Sequence, residues 1–218
     1  RVPALAEGGG AWYNRKNEFG EARRMSITAK TAGRATGVLL LAALLLAVAY
    51  QASYPIEWNL VTLPEEIAAF HNRESEDLDP SEITVYDGVG VGNREYYLIE
   101  MGESLGSVAL KRSLTGRYKI EYLTYGDGGL RDSIVESGGR KFLLLGGRDP
   151  EVRLAKITVS IDGLTYDLEK NWPRDHFLLC AEIDSRVEDH RIDRDKVRFY
   201  SADGEDVTGL YDLSGGGI

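Results

Sequence analysis

"KITVSIDGLTYDLEK", Lys156 to Lys170, alternates on either side of a central Asp-Gly. Ile157, Val159 and Ile161 interleave with Thr158, Ser160 and Asp162, and Leu164, Tyr166 and Leu168 interleave with Thr165, Asp167 and Glu169. A period of two belongs to a strand with one face covered. Asp162-Gly163 is a type I′ turn dipeptide, and closing the chain there sets Ile161 opposite Leu164, Val159 opposite Tyr166 and Ile157 opposite Leu168. All six apolar side chains then face one side, as a half-buried hairpin requires.

The same pattern extends in both directions. Gly138-Gly139 centres a second hairpin with Glu136 opposite Lys141 and Val135 opposite Phe142. "KFLLLGG" and "HFLLCAEID" are continuous apolar runs, which predicts central strands covered on both faces. "ITVY", "EYYLIEM", "SVALKRSL", "RYKIEYLTYG" and "KVRFY" bring the expectation to about nine or ten strands between Glu82 and the C-terminus. Sequential hairpins at such spacing predict a mainly β domain, an antiparallel sandwich or barrel, over 82–218. Ahead of it, "TLPEEIAAFHNRES" has a T-x-x-E capping box in Thr62 and Glu65, with Pro64 in the first turn. A short amphipathic helix ending near Asn72, then the acidic linker "ESEDLDPSE", fills 57–81.

The N-terminal quarter differs in kind. Ala35 to Ile56 is a run of 22 uncharged residues in a chain that is 28% charged. As a helix it would reach roughly 33 Å, against a hydrocarbon core of about 30 Å. Arg23, Arg24, Lys30 and Arg34 precede it, while Tyr50, Tyr54 and Trp58 recur at its far end like an interfacial belt. Residues 1–52 have 7 Lys+Arg against 3 Asp+Glu, and the remainder has 19 against 32, so a head of +4 precedes a body of −13. Three fates compete. A buried soluble helix would show a polar face, and this run shows none. Ala47-Val48-Ala49 is an A-x-A site, whose cleavage would release a secreted form beginning at Tyr50. The aromatic spacing and the uncharged continuation favour a transmembrane signal anchor over 35–56. The lipid bilayer is then a partner, and by the positive-inside rule the tail, residues 1–34, is cytoplasmic with the C-terminal domain outside. Met25 opens a good n-region, "MSITAKTAGRATG", so translation is expected to start there and to leave out residues 1–24.

The layout resembles single-pass membrane-anchored proteins of Gram-positive bacteria that have a small β-rich extracytoplasmic domain. The resemblance is borne by "LTGRYKIEYLTYG", "FLLLGGRDPEVRLAKITVSIDGLTYDL" and "HFLLC". It implies a location and a fold, and no activity.

Chemistry is sparse. The net charge of −9 argues against a nucleic-acid partner, which needs clustered Lys and Arg. "GESLG", Gly102 to Gly106, matches the G-x-S-x-G nucleophile elbow with Ser104 as nucleophile and His176 downstream. That mechanism needs a strand, a strained turn and then a helix, whereas "SVALKRSL" reads as another strand, so a five-residue hairpin loop is the economical reading. His71, His176 and His190 lie too far apart for zinc. Asp189, Asp193 and Asp195 could meet calcium, but the interleaved Arg186, Arg191, Arg194, Lys196 and Arg198 point to a self-neutralising loop. "DGVGVGN", Asp87 to Asn93, fits no phosphate-binding motif and reads as a turn. Cys180, the single cysteine, reads as a small buried hydrophobe. No catalytic, cofactor-binding or metal-ligating residue is assigned. The function expected is a non-enzymatic binding or scaffolding module at the cell envelope, with a small hydrolase or metal-dependent enzyme as the alternative. Ser104 and His176 within hydrogen-bond reach beside a cleft would revive the enzyme.

Overall fold

The computed structural model describes residues 34, 36–57, 59–73, 77–188 and 192–213. The proposed start Met25, most of the basic head, Ala35, Trp58, Asp189, His190 and Arg191 therefore lie outside the described residues. The chain divides into two compact units between Ser53 and Tyr54.

In the first unit residues 36–52 form helix α1. Its aliphatic side chains are open to solvent, Leu39 and Leu46 each at 71%. Seventeen residues at 1.5 Å each span about 25 Å. Among the described residues no helix is long and apolar enough to cross a membrane.

The second unit begins with the last residues of the uncharged run. Tyr54 and Ile56 are buried in it, and Ile56 pairs with Tyr118. Helix α2, Leu63–His71, follows. Thr62 is its N-cap, but with φ −95° and ψ −4° it makes no side-chain cap bond. Its hydroxyl donates instead to the Asn59 carbonyl at 3.3 Å, so the expected capping box does not close.

Ten strands are described: β1 (Ile83–Val91), β2 (Arg94–Met101), β3 (Ser104–Arg112), β4 (Tyr118–Gly126), β5 (Leu130–Ser137), β6 (Arg140–Arg148), β7 (Lys156–Ile161), β8 (Leu164–Glu169), β9 (His176–Ile183) and β10 (Val197–Tyr200). They form three antiparallel sheets, ordered β1-β2-β3-β4, β5-β6-β9 and β10-β7-β8. None closes into a barrel, so of the expected architectures the barrel is set aside and an open, mainly β, antiparallel arrangement remains.

The Lys156–Lys170 hairpin has the predicted register, Ile161 with Leu164, Val159 with Tyr166 and Ile157 with Leu168. Asp162 and Gly163 both take positive φ, 50° and 77°, as a type I′ turn demands. Its faces are less uniform than the pattern implies. Leu164, at the tip, is 39% exposed, because the core does not reach beyond Ile161 there. The Gly138-Gly139 hairpin also has its expected partners, Glu136 with Lys141 and Val135 with Phe142.

Layering explains the continuous apolar runs. β6 and β9 are neighbours in the β5-β6-β9 sheet. On one face Leu144 and Leu178 meet Tyr96, Leu98, Leu105 and Ala109 of the four-stranded sheet. On the other, Leu143, Leu145, Phe177 and Leu179 meet Ile157, Val159 and Phe199 of the third sheet. The four-stranded sheet is itself covered on its far side by Leu63, Ile67 and Ala68 of α2. The glycines of "DGVGVGN" belong to β1 rather than to a loop, and only Gly92-Asn93 turns. A Cβ on Gly88 would lie 2.3 Å from Cε1 of Tyr97, so the ring occupies the space a side chain would need.

Candidate functional site

Ser104 opens β3, directly opposite Met101 across the two-residue turn Gly102-Glu103. The "GESLG" segment is therefore a tight β-turn-β, shorter than the expected five-residue loop, and no helix follows to present a nucleophile. His176 begins β9 opposite Arg148. Its Nδ1 lies 2.8 Å from Asp175 Oδ1, and since a carboxylate only accepts, Nδ1 is the protonated nitrogen. That contact holds the Asp175 carboxyl below its usual range. Among the described residues the buried Nε2 has no hydrogen-bond partner, and the ring lies against Tyr86, with centroids 3.8 Å apart and planes tilted by 41°. Tyr86 donates to Glu100, which also accepts from Arg148 Nε at 2.5 Å. Burial, and then the bond to Glu100, raises the Tyr86 hydroxyl well above its ordinary range. Among the described residues no hydrogen bond joins Ser104 to His176. Tyr86 packs against the imidazole ring.

A second polar constellation lies beneath the third sheet. Lys170, just after β8, donates from Nζ to Asp149 Oδ2 and to the Arg174 carbonyl, and both members of this ion pair are wholly buried. Tyr211 donates to Asp149 Oδ1 at 2.7 Å, while the backbone N–H groups of Arg153 and Leu154 reach the same carboxylate at 3.1 and 3.2 Å. A buried carboxylate so fully supplied with donors is a structural clamp: it fixes the β6–β7 connection to the end of β8 and to the C-terminal segment. Burial first, and then this carboxylate, raise the Tyr211 hydroxyl. Sequence reading missed the trio because its members are up to 62 residues apart and follow no period.

Over the clamp runs an open groove of about 660 Å³, lined by Lys156, Glu169, Asn171, Tyr200, Ser201 and Gly204 among others. Lys156 and Glu169 are cross-strand partners, and Lys156 Nζ lies 5.1 Å from the centre of the Tyr200 ring. Ser201 Oγ donates to Asp203, and Lys170 also borders the groove, its ammonium held by Asp149. The groove therefore offers hydrogen bonds, one aromatic face and charges of both signs.

The acidic loop neutralises itself locally: Asp193 caps the N–H of Asp195 and lies 3.0 Å from Lys196. Asp189 lies outside the described residues. Among the described residues no cluster of three or more His, Cys, Asp or Glu could hold a metal ion. Cys180 is exposed, contrary to the buried position expected, even though neighbouring atoms desolvate its sulfur enough to raise the thiol. It lies on the β9 face turned toward the four-stranded sheet, opposite Leu144, at a point which that sheet does not cover. Comparison with family models, curated proteins and solved structures finds no match.

Proposed function

We propose that this chain is a membrane-tethered module. Residues 35–56 contain the tether, the basic head lies in the cytoplasm, and the mainly β body acts outside the cell as a non-enzymatic binding or scaffolding domain. The observation that carries the reading is α1. Its Leu and Val side chains stand open to solvent around the whole helix, a surface no isolated helix keeps in water. A bilayer is the covering that suits an uncharged run flanked by Arg34 on one side and Tyr50 on the other. The described helical turns fall some 5 Å short of the hydrocarbon thickness. Uncharged Ala35 before them and Ser53 after them lengthen the run.

The body is read as a sandwich of the first two sheets, backed by the third. The binding role is supported by the groove beside Tyr200, which has hydrogen-bonding groups, an aromatic ring and charges of both signs. The resemblance to single-pass envelope proteins of Gram-positive bacteria bears on the location and the fold alone. Membranes washed in alkaline carbonate test the tether: the chain stays in the pellet. Recovery of a soluble form beginning at Tyr50 would instead establish cleavage after Ala49. Reaction of a serine-directed probe that Ser104→Ala abolishes would overturn the non-enzymatic reading.

A further inference from the structure

The body after α1 is strongly acidic, yet "KRSLTGRYK", Lys111 to Lys119, has four cations and no carboxylate. This segment turns β3 into β4, and Leu114 at its apex is 95% exposed. The turn is tied to the point where the chain enters the body. Arg117 donates to the carbonyls of Tyr54 at 3.0 Å and Pro55 at 2.6 Å, beside the Ile56–Tyr118 pair. Close by, Leu60 borders a small apolar recess with Ile56, Leu63 and Leu110, and Val61 next to it is 83% exposed. Three carboxylates share this end: Glu57 lies 3.3 Å from Arg117, Glu121 is paired with Arg94 and Lys111, and Glu95 stands across from Leu110. The opposite end of the same sheet has Glu82, Glu100, Glu103 and Asp127 around its strand ends and turn, with Arg148 paired to Glu100 and Arg131 reaching the Asp127 carbonyl. What sets the first end apart is its exposed aliphatics, Leu114 and Val61, together with the exposed Arg112, beside carboxylates already paired with Arg94, Lys111 and Arg117.

We infer that this end of the four-stranded sheet is a second membrane contact, in which Leu114 and Val61 enter an anionic bilayer surface while Arg112 and Lys119 meet lipid phosphates. The inference rests on the tether proposed above. Aliphatic side chains bracketed by cations fit the boundary between headgroups and acyl chains. Chain continuity selects the bilayer over an acidic protein. Only Ser53 separates α1 from Tyr54, the residue that Arg117 grips.

The test uses the full chain with Cys180→Ser, carrying an environment-sensitive dye at Leu114→Cys or, for comparison, at Leu210→Cys on the third-sheet side. Each protein is reconstituted into phosphatidylcholine vesicles, with or without phosphatidylglycerol, that contain nitroxide-labelled lipid as quencher. Emission at position 114 is expected to be lost in the anionic vesicles and to recover partly in high salt or without phosphatidylglycerol. Position 210 stays bright in both. Equal emission at the two positions, in vesicles that retain the chain through a carbonate wash, overturns the surface contact and leaves the tether standing. Quenching at 114 in vesicles that release the chain supports the contact and removes the tether. Release without quenching overturns both.

Discussion

Two apolar runs in this chain have opposite surroundings. Val38 to Val48 is nearly pure Leu, Ala and Val, and so is Leu143 to Leu145 with its neighbour Phe177 to Leu179. The first forms a helix with its leucines open, while in the second Leu143, Leu144 and Leu145 are wholly buried. Composition sets the requirement for a cover and is silent about what supplies it. The β6 and β9 runs are short, bounded by charged or turn residues, and matched by facing sheets within the same chain. The α1 run is too long for one strand and, among the described residues, its leucines stand open. The contrast is between a run covered from within and one whose cover, on the reading proposed above, comes from outside.

The sharpest way to break this comparison is to place the same charge in each run. Leu144→Asp buries an unpaired carboxylate between two sheets, and such a charge costs more than many domains have to spare at about 5–15 kcal/mol. It is expected to abolish cooperative thermal unfolding of the body, followed by circular dichroism in detergent. Leu41→Asp should leave that transition unchanged and release the chain from carbonate-washed membranes, since a central Asp costs a membrane helix about 3 kcal/mol. A loss of body stability from Leu41→Asp would mean that α1 is covered from within.

Covering on a single face should grade the effect. Val159 is buried and Ser160, the next residue, faces out across from Thr165. Val159→Asp is expected to cost several kcal/mol, and Ser160→Asp to stay within about 0.5 kcal/mol. Gly163→Val falls between them, because its φ of 77° suits a β-branched residue poorly. Equal losses at 159 and 160, read as melting temperatures, would show the hairpin to be buried on both sides.

These hairpins were legible because their determinants are local. Alternation, turn residue and cross-strand partner all fall within about a dozen residues, so period and turn chemistry agree. The doubly covered character of β6 and β9 was legible for a related reason: an unbroken apolar run leaves no face for water. What escaped depends on where layers end. Leu164 and Cys180 continue patterns whose neighbours are buried, yet each extends past the edge of the facing layer. Ser104 matches a nucleophile motif by spacing alone, and the strand after it removes the meaning. The Asp149, Lys170 and Tyr211 clamp joins three loop positions through tertiary structure, so no window along the chain contains it. Thr62 has the right residue type for a cap but a backbone already turned into the helical region.

The clamp provides the next smaller test, a polar group under the same degree of cover as Leu144. Lys170→Met removes the cation and leaves Asp149 buried, retaining its bonds to Tyr211 and to backbone donors. Removing one member of a buried ion pair costs about 3–5 kcal/mol, and the surviving hydrogen bonds place the expected loss at the low end. A loss below about 1 kcal/mol in a denaturant titration would show that the carboxylate reaches water and that the clamp contributes little.

The smallest effect belongs to a charge that is only partly covered. Glu121 on β4 accepts from Arg94 Nε and, at 3.2 Å, from its terminal nitrogen, with Lys111 at 3.4 Å. The Arg94 bond, ahead of the opposing effect of burial, holds the carboxyl below its ordinary value of 4.5. A carboxyl with a lowered folded-state pKa contributes stability above its unfolded value and loses it as pH falls through the folded one. The side chain retains about a quarter of its exposure, so solvent screening limits the contribution to about 0.5–1 kcal/mol. Glu121→Gln should therefore lower the melting temperature slightly at pH 7, and the gap from the parent protein should narrow below about pH 4 as the parent's own carboxyl takes up its proton. A gap that stays constant from pH 7 to pH 3 would assign the loss to packing on the sheet face rather than to charge.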